Sequence, residues 1–220
     1  DRLEFDLVDT DPGFQPTTAH WLFSLGSELQ NLGALEIDGF SQLGAQRNAN
    51  PSLAPVAHTL KVEIRGPVPG TTNCILAIGS LTVRGLALGN CNQAIFMFEP
   101  GPHLVEGSHI GVDVTGLSSP APNRMGVALG GDATIGLGTP ASANVIAGNR
   151  AGGLVQLRAL SRLRIQGNII GPIASLTSTP GLQDYGIQLQ GPFPDSLIGG
   201  PTAEQANTIS GNAFNGILVT

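Results

Sequence analysis

Apolar and polar residues alternate along this chain in short bursts, most clearly at Leu60-Lys61-Val62-Glu63-Ile64-Arg65. A period of two places every second side chain on one face, so such a burst predicts a strand with apolar residues inward and charges outward. Two signatures recur. One is a β-branched residue, any residue, then Gly, as at Ile37–Gly39, Ile64–Gly66, Val83–Gly85, Val105–Gly107, Ile146–Gly148, Ile165–Gly167 and Ile209–Gly211. The other is Gly before a brief alternating run: Gly126–Leu129, Gly186–Leu189 and Gly216–Val219. Runs this short and this punctuated by Gly predict strands rather than helices.

The signatures are parts of a larger repeat. His103–Leu129 overlies Leu163–Leu189 without a gap, with Gly107/Gly167, Ile110/Ile170, Gly111/Gly171, Ser118/Ser178, Pro120/Pro180, Gly126/Gly186 and Leu129/Leu189 identical. After a small change of length, Asn144–Asn149 overlies Asn207–Asn212. Short strands in long repeats cannot bury an apolar face alone and must stack on their neighbours. The expected fold is therefore all-β, a right-handed parallel β-helix over residues 33–220. The unit of about 60 residues fits two rungs carrying loops better than three without them, because Thr115–Asn123, Gly138–Ala143, Ser175–Leu182 and Pro201–Ala206 read as protruding loops. Gly after a strand allows positive φ at a corner. Asn144, Asn149, Asn168, Asn207 and Asn212 suit the same corners, through the left-handed region or through stacked amide ladders. Residues 1–32 do not repeat. Trp21, Leu22, Leu25, Leu29 and Leu32 fit a helical face, although Trp21-Leu22-Phe23 could also open a strand, and a cap over the N-terminal end of the core is expected there.

Composition narrows the functions. Among 220 residues there are 16 acidic and 10 basic side chains, a net charge of −6, and a single Lys, Lys61. Nucleic-acid binding by counterion displacement needs a basic face and is excluded as an expectation. The longest uncharged stretch, Ile165–Gln183, is broken by Gln166, Gly167, Asn168, Pro172 and Pro180, so no membrane span is expected. Cys74 precedes one short strand and Cys91 precedes the strand in the similar place one rung on. They are within reach of a disulfide on adjacent rungs, with two separate buried thiols the alternative. The sequence begins at Asp1, for which a processed N-terminus is expected. It stops inside a repeat signature at Gly216–Thr220, for which a longer parent chain, or pairing of the open rung with another copy, is expected.

The Asn144–Asn149 and Asn207–Asn212 motifs, Val105–Gly111 and Ile165–Gly171, and Leu81–Leu86 resemble secreted bacterial right-handed β-helix proteins of the PbH1-repeat or CSLREA-domain kind. Leu35–Gln42 with Gly44-Ala45 and Asn48 resembles the stretch before the helix in that family, so the likeness runs from about Gly33 to Thr220. The cysteine-containing element that names the family is absent. The resemblance implies a secreted or cell-surface protein and little chemistry.

Many polysaccharide lyases and glycoside hydrolases share this fold, and their chemistry needs a base of lowered pKa with a cationic clamp, or paired carboxylates. Lys61 alternates with Glu63 and Arg65, the pattern of a solvated face. If the chain were an enzyme, Arg84, Glu106, His109, Arg164 and Asp184 would have to converge. His103 and His109 flank Glu106 with Asp113 beyond, yet Leu163 and Ile169 fill the two histidine slots in the second copy, which points to core or corner histidines. Asp132, Asp184 and Asp195 are scattered in loops. Arg158, Arg162 and Arg164 form the one local basic concentration, able to meet a phosphate or a uronate or simply to face solvent. The expected function is a non-catalytic structural, adhesive or glycan-contacting module without cofactor or metal. An enzyme acting on an acidic polysaccharide is the alternative.

Overall fold

A computed structural model describes residues 1–67, 70–99, 101–158, 162–181 and 183–220. Leu182, the last residue of the expected loop Ser175–Leu182, lies outside the described residues. The alternating bursts are strands of two to five residues, and they assemble into three sheets of seven, eight and seven strands. Among the described residues these strands pair in parallel, except that Phe14–Gln15 runs antiparallel to His20–Ser24. Helical structure among the described residues is confined to three single 3-10 turns, Gly39–Ser41, Pro140–Ser142 and Ala203–Gln205.

The chain visits the sheets in a fixed order, one circuit at a time. The second circuit, for example, places Leu35–Asp38 in the first sheet, Val62–Arg65 in the second and Ile75–Ala77 in the third. The fourth places His103–Glu106, His109–Ile110 and Met125–Leu129, and the fifth Ala133–Ile135, Val145–Ile146 and Gly152–Gln156. The sixth begins at Leu163–Ile165, so the 60-residue repeat is two circuits.

Register stacks like on like. Leu3, Ile37, Val83, Val105, Ile135, Ile165 and Ile198 stand side by side in the first sheet. Phe23, Ile64, Leu88, Ile110, Ile146, Ile170 and Ile209 do so in the second. Ile75, Ile95, Val127, Leu154, Ile187 and Ile217 complete the third column. The middle members are fully buried and form one continuous core. Each such side chain contributes about 1.5–3 kcal/mol by leaving water.

Segment 1–32, expected as a cap, supplies strands to all three sheets. Arg2–Glu4 pairs with Leu35–Asp38, His20–Ser24 with Val62–Arg65, and Leu29–Asn31 with Ile75–Ala77. The helical option for Trp21 gives way to a strand, because pairing with Val62–Arg65 satisfies its backbone along the whole edge. Trp21 is buried against Phe14, with ring centroids 5.1 Å apart, and its indole N–H donates to the Val8 carbonyl at 3.1 Å.

Two devices turn the corners. Gly85, Gly107, Gly136, Gly148, Gly167 and Gly211 have φ between +59° and +73°. The asparagines use the other option, none of the five adopting positive φ. Asn144, Asn168 and Asn207 form one buried amide ladder, and Asn123, Asn149, Gln183 and Asn212 a second. Cys74 and Cys91 are joined by a disulfide across neighbouring circuits, with Cα atoms 5.6 Å apart and no exposure.

The loops alternate. The fourth and sixth circuits protrude between the second and third sheets, at residues 111–123 and 171–181. The fifth and seventh protrude between the first and second, around Pro140–Ser142 and Ala203–Gln205. Circuits one and two both protrude between the first and second sheets, at residues 5–13 and 42–61, but from the fourth circuit on, among the described residues, neighbours do not protrude at the same corner. This is why the sequence repeats over two circuits and not over one.

Candidate functional site

The outer face of the first sheet carries most of the candidate chemistry, in two rows set by the pleat. One row runs Arg2, Glu36, Thr82, Leu104, Thr134, Arg164, Leu197. The other runs Glu4, Asp38, Arg84, Glu106. Arg84 and Glu106 are thus direct neighbours, while Arg164 lies in the other row with Thr134 and Leu104 between it and Thr82.

The charges at the N-terminal end of this face neutralise one another. Arg2 meets Glu4 at 3.0 Å and Asp38 at 2.8 Å. Arg84 bridges Glu36 and Glu106, its Nε 2.8 Å from Glu106 Oε1. The same Glu106 oxygen accepts from Arg47 Nη1 at 3.1 Å, and the Arg47 guanidinium lies 4.3 Å from the centre of the Phe40 ring. Glu106 is 5% exposed, so its charge is spent on two guanidiniums and is not open to act as a base.

His109 and Asp184 lie elsewhere. His109 is in the second sheet, fully buried, its Nδ1 3.0 Å from the Asp113 carbonyl and its Nε2 without a partner. Its ring is 5.9 Å from that of His58, which sequence reasoning missed because residues 42–60 carry no periodicity. Burial pushes both histidines down to about 4, helped by their proximity in the case of His109 and by Arg47 in the case of His58. Asp184 directly precedes Tyr185–Leu189, the third-sheet strand of the sixth circuit, its backbone N–H donating to the Arg150 carbonyl. The five residues that an enzyme would need together are therefore one ion pair and three separated groups.

The remaining candidates have structural partners. His103 is 2% exposed beside Ala133 of the first sheet, with Nε2 3.0 Å from the Glu99 carbonyl, and burial lowers its pKa. Asp113 organises its own loop. Burial would raise its pKa, but hydrogen bonds from Ser118, Thr115 and two backbone amides together hold it lower. Glu63, expected on a solvated face, is instead 3% exposed between His20 at 3.1 Å and Arg65 at 2.6 Å. Lys61 does reach solvent and donates to the Ala19 carbonyl.

The basic trio separates too. Arg158 stacks on Phe98 at 3.7 Å, and Arg162 faces Asp132 at 3.6 Å. Arg164 is exposed and makes no ion pair among the described residues. It lines a shallow groove with Asp132, Thr134 and Arg162. A second hollow, reaching Thr82, Leu104 and Glu36, continues it along the sheet.

Among the described residues no group of three or more His, Cys, Asp or Glu side chains is placed to hold a metal ion. No helix among them is long and apolar enough to cross a membrane. Set against protein-family models, curated proteins and solved structures, the chain matches none of them.

Proposed function

We propose that the chain is a right-handed parallel β-helix serving as a non-catalytic, secreted or cell-surface module that contacts acidic glycans. The handedness rests on the strong rule that parallel crossovers turn to the right. The disulfide supports an oxidising compartment, and the motif resemblance to PbH1-repeat and CSLREA-domain proteins points the same way. The observation that carries the non-catalytic reading is the fate of Glu106: of the five candidate residues it is the carboxylate that stands beside a candidate clamp, and it is already held by Arg84 and Arg47. The glycan reading rests on the first sheet's outer groove, where the Thr134 hydroxyl is next to the uncommitted Arg164 and Thr82 lies further along the same row. A uronate or sulfate group presents the oxygen pair that a guanidinium binds best.

Incubation with pectate, alginate and glycosaminoglycans, followed by reducing-end and unsaturated-product assays, tests the reading. No turnover is expected, together with weak, salt-sensitive retention on at least one acidic polysaccharide that Arg164→Ala abolishes. Turnover lost on Glu106→Gln would replace this reading by a polysaccharide-cleaving enzyme. Retention unchanged by Arg164→Ala would remove the groove from it.

A further inference from the structure

After the Gly39–Ser41 turn the chain leaves the second circuit and returns only at Val62. Between these points it runs across later circuits as a strap. Arg47 reaches Glu106 in the fourth circuit. Asn48 Nδ2 donates to the Pro140 carbonyl at 3.1 Å, and His58 Nε2 lies 2.7 Å from the Ala143 carbonyl, both in the fifth. The Val56 N–H donates to the Ala174 carbonyl of the sixth at 2.9 Å. Beneath the strap the outer face of the second sheet is apolar, and Val56 closes a small cluster with Val145, Ile169 and Ile173.

We propose that this strap is an acid-operated latch, held shut by the uncharged His58–His109 pair and released when either ring takes up a proton. The hydrogen-bond pattern requires neutrality. His58 Nε2 faces a carbonyl and so carries the hydrogen, while Nδ1 accepts the Asn48 N–H at 2.8 Å and must be bare. A proton on Nδ1 would set donor against donor at the strap's own neck. His109 Nδ1 faces the Asp113 carbonyl and carries its hydrogen, leaving Nε2 bare, buried and without a hydrogen-bond partner among the described residues. Charging either ring also places a cation in the apolar layer beside the other.

The charged groups facing the pair do not rescue it. Arg47 on the strap opposes protonation of His58, and its partner Glu106 is shared with Arg84. Asp113 favours protonation of His109, but burial and His58 outweigh it. Both histidines sit near 4, below the ordinary value of 6.5, so the open form binds more protons throughout that interval. The closed form is fully favoured above about pH 6.5. Opening then rises by up to about tenfold per pH unit for each histidine as pH falls towards about 4.

Amide hydrogen exchange between pH 7 and pH 3.5, corrected for the intrinsic rate, tests the latch on the intact chain. The amides of Asn48, Val56 and Ala57 are expected to lose at least a hundredfold of protection while those of Val145 and Ala147 in the second sheet keep theirs. His109→Val, which copies the Val145 of the next strand, is expected to leave no more than about a tenfold loss per unit. His58→Asn, which keeps an acceptor for the Asn48 N–H, is a second variant expected to flatten the dependence in the same way. Strap protection that is the same at pH 3.5 and pH 7 overturns the proposal. So does loss of strap and sheet protection in parallel, or a pH dependence that neither His109→Val nor His58→Asn changes.

Discussion

Asn144 Nδ2 donates to Asn168 Oδ1 across 2.8 Å, and Asn168 Nδ2 in turn reaches Asn207 Oδ1 at 3.1 Å. The same Asn168 amide donates to the Ile135 carbonyl at 2.7 Å, beside the Gln166 N–H that this carbonyl also accepts at 3.0 Å. One side chain thus joins three circuits and satisfies a buried backbone acceptor. Its replacement takes a hydrogen bond from each of these groups at once and leaves the buried Asn144 N–H, which donates to Asn168 Oδ1 at 3.3 Å, without that acceptor. Asn168→Ala is expected to destabilise the fold by about 2–4 kcal/mol. Asn92→Ala, a half-buried position outside the ladders whose amide donates once, to Gln93 Oε1 at 3.1 Å, is expected to cost about half as much or less. Paired urea melts check this, and equal losses would take away the ladder's special weight.

The disulfide closes a loop with a sequence separation of 17. Loop-closure entropy alone makes that about 3 kcal/mol. Replacement of both cysteines by Ala is therefore expected to lower stability by about 2–4 kcal/mol, and thiol titration of the unfolded, unreduced protein should find no free thiol. Two reactive thiols per chain would contradict the bond.

Glycines divide by what surrounds them. Gly171 has φ +106°, and a Cβ there would stand 1.9 Å from the Ser210 carbonyl oxygen of the next circuit. Gly181 has φ +68° with nothing within 4 Å. Both lose the conformational freedom of Gly on mutation, but only the first also forces two backbones apart. Gly181→Ala is expected to cost about 1 kcal/mol, and Gly171→Ala more than about 3 kcal/mol or failure to fold. Thermal melts of the two variants side by side decide it.

Glu63 gives a pH dependence of its own. Burial alone would raise its pKa, but hydrogen bonds from His20 and Arg65, with their charges, together bring it below the ordinary value. A depressed carboxyl contributes stability that is present above about pH 4.5 and is lost as pH falls through the lowered folded value. Arg65 is 30% exposed, so the contribution is discounted for water. Glu63→Gln is expected to cost about 2 kcal/mol at pH 7, with the gap to the parent protein narrowing below pH 4.5. A gap that stays constant from pH 7 to pH 3 would show that the charge of Glu63 adds nothing.

Strands were legible in the sequence wherever the inward residues are β-branched, because Val105, Ile165 and their counterparts must stack in register to be buried at all. The two-circuit period was legible for the same reason, from identities such as Gly107/Gly167. The strap was not. Residues 42–60 pack through individual hydrogen bonds to Glu106, Pro140, Ala143 and Ala174, and such contacts leave no period to read. His109 was readable as a core residue from its apolar counterpart Ile169, but its neighbour His58 has no second copy to compare. For Glu63 the alternation itself misled. Outward in the pleat is not the same as exposed once side chains on the same face, here His20 of the adjacent strand and Arg65 of its own, close around the carboxylate.

The alternation of loop corners sets a rule for how such a chain can change length. Deleting the single circuit Ala133–Gln156 would bring the 111–123 and 171–181 protrusions onto adjacent layers at one corner, although Gly116 and Ala174 are already in contact across the circuit between them. Deleting two consecutive circuits restores the spacing and both amide ladders. Viable length variants should therefore differ in steps of two layers, so that the heritable unit of this architecture is the pair, even though the unit of hydrogen bonding is the single turn.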